Sequence, residues 1–360
     1  ADGFYPTLGA AQGEQSPYYR WYNFHPFPDD YDAWWGIKNL PAVNETEESY
    51  VDYIIEGEHA IIRRWLRAGA SGWRLDVADE LPDGFIARIR RAIEEETPDG
   101  YLLGEVWEDG TTKIAYSQRR KYLLGRETHG LMNYPFRTAL LDFLRGGDAA
   151  VFHERMEELR EHYPAPAYYG AMNFLSTHDT PRLLTLLGHE GDAPATRDER
   201  AAYLLSEEEK SRGTALLKLA ALILYTFPGS PMLYYGDEAG MQGFEDPFNR
   251  GPYPWGHEDA ALLRYFRQLG ALRKAHEALQ RGTIDYCAAQ GRVLAFRRAS
   301  NSEKCITAVN AGEQSAALTL PWDAPLAQDA LTRQFFFCGD GLLRLTLEPY
   351  GAMLLVEAEH

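Results

Sequence analysis

The chain has 360 residues, enough for one large domain and a smaller one, and its 45% hydrophobic and 25% charged content suits a protein with a sizeable core. Its 36 basic residues stand against 53 acidic ones, and the net charge of −17 argues against nucleic acid and anionic membrane as partners. Three cysteines, Cys287, Cys305 and Cys338, are too sparse and too odd in number for a disulfide framework and point to a reducing, cytoplasmic setting.

Residues 1–45 lack regular periodicity and form an aromatic-rich loop segment. Eleven of them are Phe, Tyr or Trp, from Phe4 and Tyr5 to Trp34 and Trp35, with Pro6, Pro17, Pro26, Pro28 and Pro41 between. Such a segment either packs a small core of its own or lines a sugar-binding cleft, since aromatic faces pack on pyranose rings.

Residues 46–281 read as alternating helices and strands. Ser49 is placed to cap a helix with Val51, Ile54, Ile55, Ile62, Trp65 and Leu66 at helical spacing, ended by Gly69. A buried strand is expected at 73–77. A second helix starts near Pro82, shows Phe85, Ile86, Ile89 and Ile93 on one face, and stops before Pro98 and Gly100. Further strands are expected at 102–106, 131–133, 172–177 and 232–235. The long helix over 210–227 contains the longest apolar stretch, which Lys218 interrupts and which is too short to span a bilayer. Strands alternating with helices imply a parallel sheet covered on its outer face.

From 282 to 360 the rhythm changes to short β-forming segments at 293–298, 305–309, 316–320, 342–347 and 352–356. Turn residues fall at Asn301-Ser302 and Gly339-Asp340-Gly341. The fold class is therefore α/β with a C-terminal antiparallel β-sandwich domain. About five βα units can be counted before 282, whereas a closed (β/α)8 TIM barrel has eight. The sequence thus reads as strands four to eight, the C-terminal part of such a barrel, in a chain that opens on Ala1-Asp2 without a methionine. On that reading the strands at 73–77 and 232–235 each expose an edge, and the chain alone is expected to self-associate or to be inactive.

Three acids stand out. Asp76 lies in GWRLDVADE (72–80), Glu105 in YLLGEVWED (101–109) and Asp179 in NFLSTHDTPR (173–182). Each follows a short apolar run and precedes loop residues, as does a carboxylate crowning the C-terminal end of a barrel strand, the face where such barrels keep their chemistry. Cleavage of a glycosidic bond runs on paired carboxylates, so the set suggests a sugar-cleaving centre. The bland alternatives are a strand-end Asp76 that caps the next helix and a Glu105 held in a structural ion pair. Asp79, Glu80, Glu108 and Asp109 read as loop or capping acids, and Asp237-Glu238 as residues that order a loop, with Arg182 pairing either with them or with Asp179. His25, His129 and His257 have no metal-ligand spacing, and no phosphate-binding or dinucleotide fingerprint occurs.

These segments resemble the α-amylase family of glycoside hydrolases, specifically its cyclomaltodextrinase, neopullulanase and maltogenic amylase branch, over nearly the whole chain. GWRLDVADE resembles the family's nucleophile strand, GEVWED its acid/base strand, and FLSTHDTPR the strand with its third carboxylate. MNYPF (132–136) and PGSPMLYYGDEAG (228–240) resemble its sixth-strand and eighth-strand segments. WWGIKNLPAVN (34–44) resembles a short motif of the loop domain after the third strand. The family's first motif, an Asp, an Asn and a His on the third strand, has no counterpart here.

The resemblance implies a retaining hydrolysis of α-1,4-glucosidic bonds in maltodextrins, cyclodextrins or pullulan. Asp76 then attacks the anomeric carbon, Glu105 serves as acid and base, and Asp179 bonds the sugar hydroxyls. Arg74, two positions before Asp76 on the same strand face, His178, Trp107 on the strand face of Glu105, and Arg182 are the implied substrate-binding residues. The general acid of such a pair must start protonated, which calls for burial or a nearby negative charge. No cofactor and no metal at the site are expected, while the resemblance allows a structural calcium and a homodimer in the parent enzyme. The expected partner is an α-glucan oligosaccharide. Two other readings stand beside this one: a catalytically incompetent fragment or assembly half of such a protein, and a 4-α-glucanotransferase using the same residues.

Overall fold

A computed structural model describes residues 8–358, so Phe4, Tyr5 and Pro6 of the aromatic segment lie outside the described residues. Two compact units are present. Among the described residues, the first holds 8–106 together with Gly110–Leu131, and the second holds Trp107–Asp109 and 132–358.

In the first unit the aromatic segment does pack on itself. Tyr19 stacks on Phe24 at 5.3 Å, Phe27 meets the edge of both rings, and Trp21 lies against Tyr18, Tyr50 and Tyr53. Tyr18, Trp21 and Phe24 of these rings, with Tyr22, Tyr31 and Pro41, line a cavity of about 380 Å³. The single helix expected from Ser49 to Gly69 is two pieces. Glu48–Val51 runs into a wide turn over Asp52–Glu56, and Ile61–Arg67 begins afresh. Gly57 makes the break, its N–H turning back to the carbonyl of Asp52 at 2.8 Å. Glu47 is the cap, accepting from the Ser49 amide, and Ser49 is not. Ile62 and Leu66 are buried, but Trp65 is 57% exposed, so the helical spacing overstated the apolar face.

The helix Asp83–Glu96 buries Phe85, Ile86, Ile89 and Ile93, as its spacing requires. Salt bridges of Arg88 to Glu48 and Glu56, and of Arg63 to Glu95 and Glu96, tie these helices together. Beneath them lie three parallel strands: β1 (Gly72–Leu75), β2 (Tyr101–Gly104) and β3 (Gly130–Leu131), in that spatial order. A side chain at Gly72 would place its Cβ 2.0 Å from the Tyr101 carbonyl, so the close approach of β1 to β2 demands glycine.

In the second unit β4 (Met172–Asn173) pairs in parallel with β5 (Ser230–Pro231), and Met132 bridges to Met172 in the same sense. The strands are shorter than expected, and the last one sits at Ser230–Pro231 rather than 232–235. Asn173 ties the neighbouring segments together. Its carbonyl takes the Met232 amide at 2.7 Å, its side-chain Nδ2 donates to the Pro228 carbonyl at 2.6 Å, and its side-chain oxygen accepts from Asn133. The long helix is Glu207–Thr226, started by a Ser206/Glu209 capping box. The helices Tyr134–Leu144, Ala149–His162 and Ala260–Ala275 complete the regular packing around these strands.

The C-terminal module has a six-stranded antiparallel sheet and a separate antiparallel pair, Ala316–Pro321 with Leu342–Leu347. Leu343, Leu345 and Leu347 are buried while Arg344 and Thr346 are exposed, the period of two expected of a half-buried strand. These leucines share a core with Ile306, Leu355 and Trp322, so the pair packs face-on to the larger sheet. The strands Thr283–Gln290, Leu326–Asp329 and Phe335–Phe337 were not legible in the sequence. The three cysteines are unpaired, and no helix among the described residues is long and apolar enough to cross a membrane.

Candidate active site

Strand β1 ends at Leu75, and the chain turns sharply at once. Val77 has φ +39, a left-handed conformation that a β-branched residue rarely adopts and that costs on the order of 1–3 kcal/mol. The turn is held from two sides. The Glu105 amide donates to the Leu75 carbonyl at 3.0 Å, and the Ala78 amide donates to the Glu105 carbonyl at 3.1 Å. Arg120, nearly buried, donates to the carbonyls of Asp79 and Leu81 and pairs with Asp83 at 2.8 Å.

This turn brings Asp76 and Glu105 to one guanidinium. Arg74 Nη1 bonds Asp76 Oδ1, and its Nη2 stands 3.0 Å from Glu105 Oε2. The strained Val77 supplies a second bond, its amide donating to Glu105 Oε2 at 2.8 Å. Glu105 is 3% exposed, whereas the Asp76 side chain is 71% exposed. One carboxylate is sunk into the protein and the other is presented. The neighbouring acids are occupied otherwise. Asp79 accepts from Tyr122 at 2.5 Å and pairs with Lys113 at 2.9 Å, and Glu80 accepts from Trp35 and Tyr116.

In the second unit Asp179 sits on a turn without regular structure, about one-third exposed. Its Oδ2 lies 3.2 Å from His178 Nε2 and its Oδ1 3.4 Å from Arg250 Nη2. Trp107 is 52% exposed and stacks on Tyr134 at 4.4 Å. Because β2 stops at Gly104, strand alternation does not reach Trp107, and the shared strand face expected for it and Glu105 does not exist.

Arg182 corrects the reading more strongly. Expected either to bind substrate or to pair with Asp237-Glu238 or Asp179, it is completely buried, sandwiched on the rings of Tyr234 and Tyr235 at 4.2 and 4.5 Å. It donates to the Tyr235 carbonyl and lies 3.6 Å from Asp237 Oδ1, so it locks the loop after β5. Ser176 donates to the other Asp237 oxygen, and burial pushes the Asp237 carboxyl up to about 6. Glu238 accepts from the Gly236 amide at 2.9 Å.

One group among the described residues has metal-ligand chemistry: His276, Glu303 and Cys305, with ligand atoms within 4.8 Å of one another. Glu303 is already engaged there, accepting from His276 at 2.8 Å and from the Ala278 amide at 2.9 Å.

The family described as alpha amylase, catalytic domain, matches residues 16–258, and that described as maltogenic amylase, C-terminal domain, matches residues 288–354. The chain belongs to the α-amylase family. It is 36% identical to an amylopullulanase of Thermoanaerobacter thermohydrosulfuricus, over 80% of this chain and 20% of that protein. It is 31% identical to a cyclomaltodextrinase of Geobacillus thermopakistaniensis, over 95% of this chain and 55% of that protein. The native debranching enzyme of Nostoc punctiforme superposes with a TM-score of 0.79 at 28% identity, covering 97% of this chain and 72% of that one. The chain thus spans between a fifth and just over half the length of these curated relatives.

Within this α-amylase family chain, Val77, Arg120, Asn249 and Arg250 are the positions that sequence reasoning missed. A valine in an apolar run gives no sign of a left-handed turn, and Asn249 and Arg250 lie in a Pro- and Gly-rich stretch without periodicity.

Proposed function

We propose that the chain carries the catalytic carboxylates of a retaining glycosidase acting on α-glucans of the maltodextrin, cyclodextrin and pullulan class. The observation that supports this most is the single guanidinium of Arg74, which holds Asp76 and Glu105 together at the C-terminal ends of adjacent parallel strands. A retaining mechanism needs two carboxyl groups only about 5–5.5 Å apart, close enough for one to attack carbon while the other protonates the departing oxygen.

The exposed Asp76 is the nucleophile, and the sunken Glu105 gives its proton to the leaving oxygen and then takes one from the incoming water. Asp179 and His178 bond the sugar hydroxyls. The names of the relatives, amylopullulanase, cyclomaltodextrinase and neopullulanase, support the substrate class. The short parallel strands belong, on this proposal, to a (β/α)8 barrel.

The test uses the complete enzyme. Incubation with a 5-fluoro-α-glucosyl fluoride should leave a glycosyl ester on the peptide containing Asp76, seen by mass spectrometry. Proton NMR of maltotriose hydrolysis should show the α-anomer first. Initial release of the β-anomer, or a label on another residue, overturns the proposal.

A further inference from the structure

The turn that presents His178 and Asp179 has no ladder of its own. Residues 174–180 form neither helix nor strand, so their carbonyls must find partners elsewhere. The Thr177 carbonyl takes the Thr180 amide at 3.3 Å, the Leu175 carbonyl takes Arg137 Nε at 2.8 Å, and hydroxyls inside the turn serve two of its N–H groups. The Thr177 amide donates to Thr180 Oγ1 at 2.9 Å, and the Asp179 amide donates to Thr177 Oγ1 at 3.1 Å.

The carbonyls of Thr177, His178 and Thr180 also share one side chain about 70 residues further on. Asn249 lies in the short turn Phe248–Arg250 and is completely buried. Its Nδ2 donates to the carbonyls of Thr177 at 3.2 Å, His178 at 2.8 Å and Thr180 at 2.8 Å. An amide NH2 has two hydrogens, so three acceptors at these distances mean that one is shared. Every carbonyl from 177 to 180 except that of Asp179 therefore converges on one nitrogen, with Asp179 at the apex. Arg250 adds a bond from its Nε to the His178 carbonyl at 3.1 Å.

We infer that Asn249 is a positioning residue: its side-chain amide sets the turn 177–180 and thereby aims the carboxylate of Asp179 and the ring of His178. This rests on the proposed role of Asp179 in binding the sugar. A carboxamide is suited to the task because it is a neutral donor that can be buried without a counter-charge, and its NH2 reaches several carbonyls from one atom. In the first unit Arg120 treats the turn after Asp76 in the same way, gathering the carbonyls of Asp79 and Leu81.

The experiment is a double-mutant cycle on the full-length enzyme, with 4-nitrophenyl α-maltoside as probe. Asn249→Asp replaces the NH2 group by an acidic oxygen at constant shape, and Asn249→Ser keeps one hydroxyl donor. If Asn249 acts through Asp179, Asn249→Asp lowers kcat on the order of 10²-fold with little change in KM, as expected for a reacting group displaced by about 1 Å. Asn249→Ser should recover part of that loss. In an Asp179→Asn background the same changes at Asn249 should have no further effect, because the group being aimed is gone.

Thermal melts of each variant, with rates taken well below its Tm, separate aiming from unfolding. Losses that add in full across the cycle, or wild-type kcat in Asn249→Asp, overturn the inference while leaving the glycosidase reading intact. Unchanged turnover in Asp179→Asn alone overturns the role of Asp179, and the inference with it.

Discussion

The Nη2 atom of Arg74 stands 3.0 Å from Oε2 of the buried Glu105, while its other terminal nitrogen bonds Asp76. The pair of acids is therefore organised by a cation from β1, the strand that leads directly into Asp76. Arg74→Gln keeps a polar side chain but leaves the two carboxylates without their common partner. We expect kcat/KM on maltotriose to fall on the order of 10²-fold, the scale set by small misplacement of reacting groups. Wild-type kcat/KM in this variant would show that the guanidinium does not organise the site.

Asp76→Asn and Glu105→Gln change the chemistry and keep the shape. In the complete enzyme each should lower turnover by roughly 10⁴-fold or more, as loss of a nucleophile or its proton partner does in other enzymes. Binding of β-cyclodextrin, followed by calorimetry, should persist in both. Appreciable hydrolysis by either variant rules out the role given to that residue.

Asp237 predicts a pH dependence of stability. Its carboxyl is raised from 3.8 to about 6 by burial in the native state, so the unfolded chain releases this proton first. Between about pH 4 and pH 6 the native state then binds more protons than the unfolded one, and stability from this group falls as pH rises. The loss is complete above about pH 6 and amounts to about 3 kcal/mol. Asp237→Asn lacks the titration. Urea unfolding from pH 4 to pH 7 should show the asparagine variant gaining on wild type by that amount, and parallel curves would refute the shift.

The β-module offers a packing test. Trp322 is 1% exposed and lies in the core shared by the six-stranded sheet and the strand pair. Trp322→Ala should cost about 3–5 kcal/mol by denaturant unfolding, since a large cavity opens between layers that cannot collapse fully. A loss below about 1 kcal/mol would mean that the layers do not depend on this side chain.

Sequence by itself determined whatever local spacing controls. The helix Asp83–Glu96 follows from its apolar period, and the strands β1 and β2 from short apolar runs that end in loop residues. Asp76 and Glu105 directly follow the last residues of these two strands, as their apolar runs indicated, whereas Asp179 lies on an irregular turn beyond Asn173, where the expected strand has already ended. Local spacing failed where the backbone broke its own pattern, as at Gly57 inside the expected helix and at Val77 in its left-handed turn. It also failed where a residue's partner was remote. For Arg182 the sequence left open a ligand-binding role and a pairing with the Asp237-Glu238 loop, and only the closure of Tyr234 and Tyr235 over it decided for the loop. Asn249 carried no signal at all, because its meaning lies in three carbonyls about 70 residues away. Helix and strand periods are properties of neighbouring residues, whereas the satisfaction of buried polar groups is settled only when distant segments meet. Tertiary structure therefore decided which of the polar residues are presented and which are sealed in to hold them.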